Sequence, residues 1–155
     1  MGGPEDPSLS IQSLMGFDFG TRKIGVAAGQ ALTGSATPLD AIACRNGQPD
    51  WTRIEELLRE WQPELLVVGL PLNMDGSESE SSRKARRFAR QLAGRFELTA
   101  RMVDERLSTR EARERLGPAA RKGPDPRVDS LAAVLLIESC FAGAETLSPE
   151  ETEQS

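Results

Sequence analysis

Asp18, the adjacent pair Asp104 and Glu105, and Asp129 each place an acid where an element should begin or end. Asp18 lies within the apolar run GFDFG. An acid between two phenylalanines is costly if buried alone, so it requires a partner, a metal ion or an exposed side. The Gly20-Thr21 turn behind it offers backbone N–H groups to a phosphate, although Asp18 capping its own turn would also account for it. Asp104 and Glu105 follow an apolar strand, and adjacent strand residues point to opposite faces, so only one of them can join Asp18. If Val103 points into the core, Glu105 does too; if the chain leaves strand geometry there, Asp104 stays open. Asp129 opens the last helix, where an acid also simply suits the helix dipole. Together, three carboxylates from two strand ends and a helix start could converge. Hard oxygen ligands without His or Cys suit Mg²⁺ or Mn²⁺. Two such ions about 3.5–4 Å apart would hold a scissile phosphate, activate water and neutralise the leaving oxygen.

Composition narrows the chemistry further. The 155 residues contain no histidine and no tyrosine, and only two cysteines. A Ser-His-Asp or Cys-His system, a His-ligated zinc and an all-cysteine zinc site are therefore excluded. Any activity should lack an imidazole titration. The length suits one domain of roughly 100–150 residues. No stretch approaches the roughly 18 apolar residues of a membrane-crossing helix, and the polar N-terminus is no secretory signal, so a cytoplasmic location is expected. Cys44 and Cys140 read as idle thiols. The formal charge of −5 conceals an uneven distribution. Residues 83–127 hold 14 Lys or Arg against 6 Asp or Glu, a local +8, and the remainder is acidic. Such a segment reads as solvated helix faces or, with a candidate catalytic acid inside it, as a surface for a polyanion.

The elements that must position these acids follow from pattern. Residues 13–19 and 23–29 read as a strand hairpin, and 36–44 as a third strand that Pro38 confines to an edge or bend. Residues 50–61 have helical apolar spacing, with Asp50 as N-cap. Residues 64–70 are a strand covered on both faces. Residues 79–96 form a basic amphipathic helix with Ala85, Phe88, Ala89 and Leu92 inside, and 98–103 a fifth strand. Ser108 and Glu111 form a capping box opening a helix to 116. A Pro/Gly loop at 121–127 precedes the last helix, 128–141. The loop from Gly69 to Gly76 would lie beside the acids, with Asn73 able to orient a substrate and Asp75-Gly76 a plain turn. An antiparallel meander followed by alternating elements implies a mixed sheet with helices on its faces. Residues 1–12 and 143–155 read as disordered tails, the second one acidic, flanking a single domain at 13–142.

The segments FDFGTRKIGVAAGQALTGSATPL, VVGLPLNMDG, DERLSTREAR and RVDSLAAVLLIES resemble, in order, the successive motifs of the YqgF/RuvX family. The resemblance runs from about Met15 to Phe141. It implies an α/β, RNase H-like (RuvC-like) fold: a mixed five-stranded sheet of order βββαβαβα with helices on both faces. It implies a nuclease, either of pre-16S rRNA in ribosome biogenesis or of Holliday junctions. Carried over one at a time, the acidic site residues are Asp18, Glu105 and Asp129, holding one or two Mg²⁺ or Mn²⁺ ions, which decides for Glu105 over Asp104. Thr21, Arg22, Lys23, Asn73, Arg106 and Arg127 are the expected substrate contacts. Residues 117–127 depart from the family pattern in being shorter and richer in proline. The expected partner is nucleic acid, an rRNA precursor ahead of a DNA junction, bound by a monomer or homodimer. A binder that keeps the fold without catalysis is the alternative. Actin-like ATPase domains also open with D-x-G-T, but they need a duplicated domain, and this chain has room for one.

Overall fold

The computed structural model describes residues 11–106 and 128–150. The helix expected at 108–116, the loop at 117–127 and Arg127 lie outside them. β1 (Ser13–Asp18), β2 (Lys23–Gln30) and β3 (Ser35–Arg45) form the antiparallel meander, while β5 (Leu65–Leu70) and β6 (Thr99–Asp104) extend the sheet in parallel from β1. A sixth strand, β4 (Gln48–Pro49), pairs with Cys44 and Arg45 and gives the order β4-β3-β2-β1-β5-β6. The expected sheet is thus correct in kind and one strand short. Two residues are too few for an alternating pattern. The signal for β4 is the turn, because Asn46 (φ 51°) and Gly47 (φ 77°) supply the two positive φ angles of a tight hairpin. β4 covers only the end of β3, so Pro38 lies on an open edge, where its missing N–H is tolerated.

α1 (Trp51–Trp61) and α2 (Glu80–Phe96) cover one face of the sheet and α3 (Leu131–Phe141) the other. Asp50 caps α1 by accepting from the Arg53 N–H, and Ser79 opens α2 in a capping box with Ser82. The four apolar positions expected inside α2 are all buried, and Phe88 meets Phe17 edge-on at 5.7 Å. On the other face α3 packs Ala133, Val134, Leu136 and Ile137 against Leu14, Ala27, Val67 and Val103. No described helix is long and apolar enough to cross a membrane. Both cysteines are free, and burial pushes the Cys140 thiol up to about 11.

The C-terminal segment departs from expectation. Where the sequence suggested no fixed structure, residues 144–150 lie against the sheet edge and α2. Leu147 exchanges backbone hydrogen bonds with Met102 on β6, and Arg101 donates to Thr146. The anchor is Arg86, 2% exposed on α2. Its guanidinium binds both Glu78 carboxylate oxygens and donates to the Ser148 and Glu150 carbonyls. Removing one partner of such a buried ion pair costs about 3–5 kcal/mol; because Glu78 stays partly exposed, Arg86→Ala should cost about 2–4 kcal/mol by this principle. Chemical denaturation checks this, and a loss like that of a surface arginine would show that the segment is not anchored.

Candidate active site

Strand parity brings Asp18 and Glu105 together. Phe17 faces α2, so Asp18 faces the α3 side. On β6, Met102 belongs to the α1/α2 core and Val103 to the α3 core. The Glu105 N–H donates to the Leu70 carbonyl at 3.0 Å, which continues the ladder one residue past β6. Parity therefore holds to residue 105, and Glu105 shares the face of Val103. Its carboxyl lies over Gly69, where a Cβ would approach Oε1 to 2.8 Å. A side chain at 69 would displace it.

Glu105 is hydrogen-bonded to Asp18. Burial first, then that hydrogen bond and the charge of Asp18, push the Glu105 carboxyl up to about 9. The two carboxyls are thus held together by a shared proton, kept above the usual glutamate range. Asp104 points to the other face and accepts from the Arg106 backbone N–H and guanidinium. The guanidinium hydrogen bond holds the Asp104 carboxyl below the usual range. Arg106 also donates to the Asn73 and Met74 carbonyls, tying the loop after β5 to the end of β6. Asn73 gives its amide to Ser77, and Asp75 accepts from Ser77, the plain turn expected there.

Asp129 approaches from α3's side. It sits in a 3₁₀ turn (Val128–Ser130) ahead of α3, and its backbone lies against Gly25, the partner of Asp18 across β1 and β2. Its carboxylate is engaged by Lys23, at 3.1 Å. Among the described residues no three acidic or cysteine side chains form a group that could hold a metal ion. The structure thus joins Asp18 to Glu105 and brings Asp129 to the same end of the sheet with its carboxylate paired to Lys23. Thr21 and Arg22 are exposed in the turn after β1.

The residue that sequence reasoning missed is Ser130. It is fully buried, and its hydroxyl accepts from the Val26 N–H at 2.9 Å and donates to the Leu39 carbonyl at 2.6 Å. Val26 and Leu39 flank a bulge between β2 and β3, and the hydroxyl bridges them there. Asp129 is thereby fixed to the sheet by its neighbour. A serine beside an acid at a helix start was the visible signal, but it reads first as a cap.

The donor set fits a divalent cation. It is oxygen only, and its two carboxyls are close enough to need a shared positive charge, supplied here by a proton. Asp18 and Glu105 would hold the ion, and Asp129, whose backbone lies against the strand partner of Asp18, is the third candidate donor.

Comparison with known proteins agrees with this frame. A family model described as RuvX, Holliday junction resolvase, matches residues 12–143. A protein of Alcanivorax borkumensis named "Putative pre-16S rRNA nuclease" is 60% identical over 130 residues, 84% of this chain and 96% of that one. One of the same name from Azotobacter vinelandii is 56% identical over 131 residues, 83% and 92% of the two chains. Among solved structures, Thermus thermophilus RuvC in complex with a Holliday junction substrate superposes with a TM-score of 0.53 at 15% identity, covering 88% of this chain and 99% of that one. The last likeness establishes the RuvC-like fold. With the family model spanning all six strands and α3, and with relatives matched over nearly their whole length, this chain belongs to the RuvX family.

Proposed function

We propose that the chain is a metal-dependent nuclease that hydrolyses phosphodiester bonds in structured nucleic acid, with the ends of pre-16S rRNA as substrate, acting in the cytoplasm during ribosome biogenesis. The observation that carries this reading is the half-buried Asp18–Glu105 carboxyl pair at the carboxyl ends of two parallel strands. Such strand ends are where open α/β sheets place their sites. The names of the relatives support the substrate.

In this reading Asp18, Glu105 and Asp129 hold one or two Mg²⁺ or Mn²⁺ ions. The metal would supply an activated water and neutralise charge on the phosphate. For Asp129 to join, its carboxylate must leave Lys23, and an exposed pair of this kind is worth about 0–1 kcal/mol. Lys23 is then released toward the substrate, beside Thr21 and Arg22. Arg106 holds the loop carrying Asn73 against the site, and Arg127 adds a further cation. One protomer supplies the whole pair, so cutting one strand needs no second copy. The family description favours a second reading, a DNA junction, which would require a symmetric dimer cutting two strands.

The test incubates the wild type and Asp18→Asn with precursor rRNA and with a four-way junction, in Mg²⁺ and in Mn²⁺. Wild type should cleave the RNA; the variant should be slower by at least about 100-fold, since even indirect metal partners are worth 10–100-fold. Cutting of the junction alone would replace RNA with DNA. Equal cleavage by both proteins would remove Asp18 from the chemistry. No cleavage of either substrate would leave a non-catalytic binder.

A further inference from the structure

We propose that the cleft between the β1–β2 turn, the β3–β4 turn and α2 is a second nucleic-acid site, which holds one nucleotide unit of a single strand through its phosphate. This rests on the nucleic-acid reading above and extends it to a surface on the opposite face of the sheet. The cleft has a volume of about 370 Å³ and is lined by Arg22, Lys84 and Arg87, with Asn46, Gln91 and Phe19. Among the described residues no carboxylate lines it.

Most of this charge has no ion-pair partner. Neither Arg22 nor Arg87 has an ion-pair partner among the described residues, and Lys84 has only Glu80, one turn away at 3.8 Å. Three other arginines of α2 are otherwise employed. Arg86 and Arg90 bind the C-terminal segment, and Arg95 lies over the Trp51 ring at 4.2 Å. The helix thus divides its cations, and Lys84 and Arg87, three residues apart on one face, are left toward Arg22. Three cations around one cavity repel one another until an anion enters, and a phosphodiester is the anion that a nucleic-acid partner offers. The amides of Asn46 and Gln91 can hydrogen-bond to sugar or base edges.

Size and position select a single strand. The volume falls at the low end of the roughly 300–1,000 Å³ that encloses one small ligand. A base stacked in a duplex cannot enter, whereas an unpaired one can. Phe19 follows Asp18 directly, and its ring packs on Phe88 of α2 at 4.9 Å. Asp18 and Phe19 therefore belong to opposite faces of one strand end. A strand leaving the carboxyl pair over the Gly20–Arg22 turn arrives at this cleft.

The test measures binding in EDTA by fluorescence anisotropy, with a labelled RNA of roughly 12 nucleotides, within the site sizes of single-strand grooves, and with the same sequence as a duplex. The proteins are wild type, Arg87→Glu and Lys84→Glu/Arg87→Glu, all full length. Charge reversal should weaken single-strand binding about tenfold or more, and should lower the salt slope by roughly 0.7 for each cation removed. Duplex binding should change little, and thermal melting should be unchanged because both altered residues are exposed. Equal loss for duplex and single strand, wild-type affinity in the double variant, or no binding of single-stranded RNA by the wild type would each overturn the proposal. Failure of the nuclease reading looks different: the wild type binds single strands through these cations and cleaves nothing.

Discussion

Glu105→Gln should abolish cleavage and, in the absence of metal, make the protein more stable. The first effect follows from the proposed role, and the loss should be at least about 100-fold. The second follows from the shared proton. In the folded protein Glu105 titrates near 9 instead of near 4.5. Between those values the folded state keeps a proton that the unfolded chain has released, so stability falls as pH rises through that window. Glutamine removes this loss, since its amide is uncharged at every pH and can donate to Asp18 as the protonated acid does. At pH 8 without metal the variant should be more stable by about 1–3 kcal/mol. That is less than the whole window would give, because a partly exposed site relaxes and takes up water as the acid ionises. At pH 4 the advantage should vanish. Adding Mg²⁺ should raise the melting temperature of the wild type, by linkage to binding, and leave the variant where it was. Thermal melts at the two pH values, with and without Mg²⁺, test this. A variant less stable than wild type at pH 8 would mean that the carboxyls do not share a proton.

A stability gain on removing a site residue is the signature of a site that stores unfavourable electrostatics for its ligand. The other contacts follow the same division. Asp104 is satisfied by Arg106, and Asp129 by Lys23 across an exposed pair. Glu105 and Asp18 have each other. Of the candidate acids, this pair has the most to gain from a cation.

Legibility in the sequence followed the range of the interactions. Alternation of side chains is local, so the pairing of Glu105 rather than Asp104 with Asp18 could be argued from Val103, provided strand geometry continued; the Glu105–Leu70 hydrogen bond is that continuation. Helix α2 was legible by its period, and so were its buried apolar residues. Arg86 was not, because its burial depends on carbonyls at Ser148 and Glu150, 62 and 64 residues away. The same distance hid the ordered C-terminal segment, whose one large apolar anchor, Leu147, has no period. β4 was readable from Asn46-Gly47, although its length gave no pattern. The pairing of Asp129 with Lys23 is a side-chain contact that spacing does not specify.

Gly25→Ala should be among the most damaging single substitutions, and it should act on site and stability together. A Cβ on residue 25 would clash with the Asp129 carbonyl oxygen and lie 3.2 Å from the Asp129 carbonyl carbon and Ser130 Cα. All three are backbone atoms, so no side chain can swing aside. The 3₁₀ turn must lift from β2, and Ser130 then loses its bonds to Val26 and Leu39. Overpacking costs about 1–3 kcal/mol and an orphaned buried hydroxyl about 1–3 more, so the expected loss is about 2–6 kcal/mol. Asp129 moves with the turn, and cleavage should fall even at temperatures where circular dichroism reports a folded chain. Gly94→Ala is the internal control. It lies within α2 with nothing among the described residues inside 4 Å of the added methyl, and it should stabilise by about 0.5–1 kcal/mol. Chemical denaturation of the two alanine variants makes the comparison. If Gly25→Ala matched Gly94→Ala, the close contact between β2 and the Asp129 turn would not exist, and the site would not be built on it.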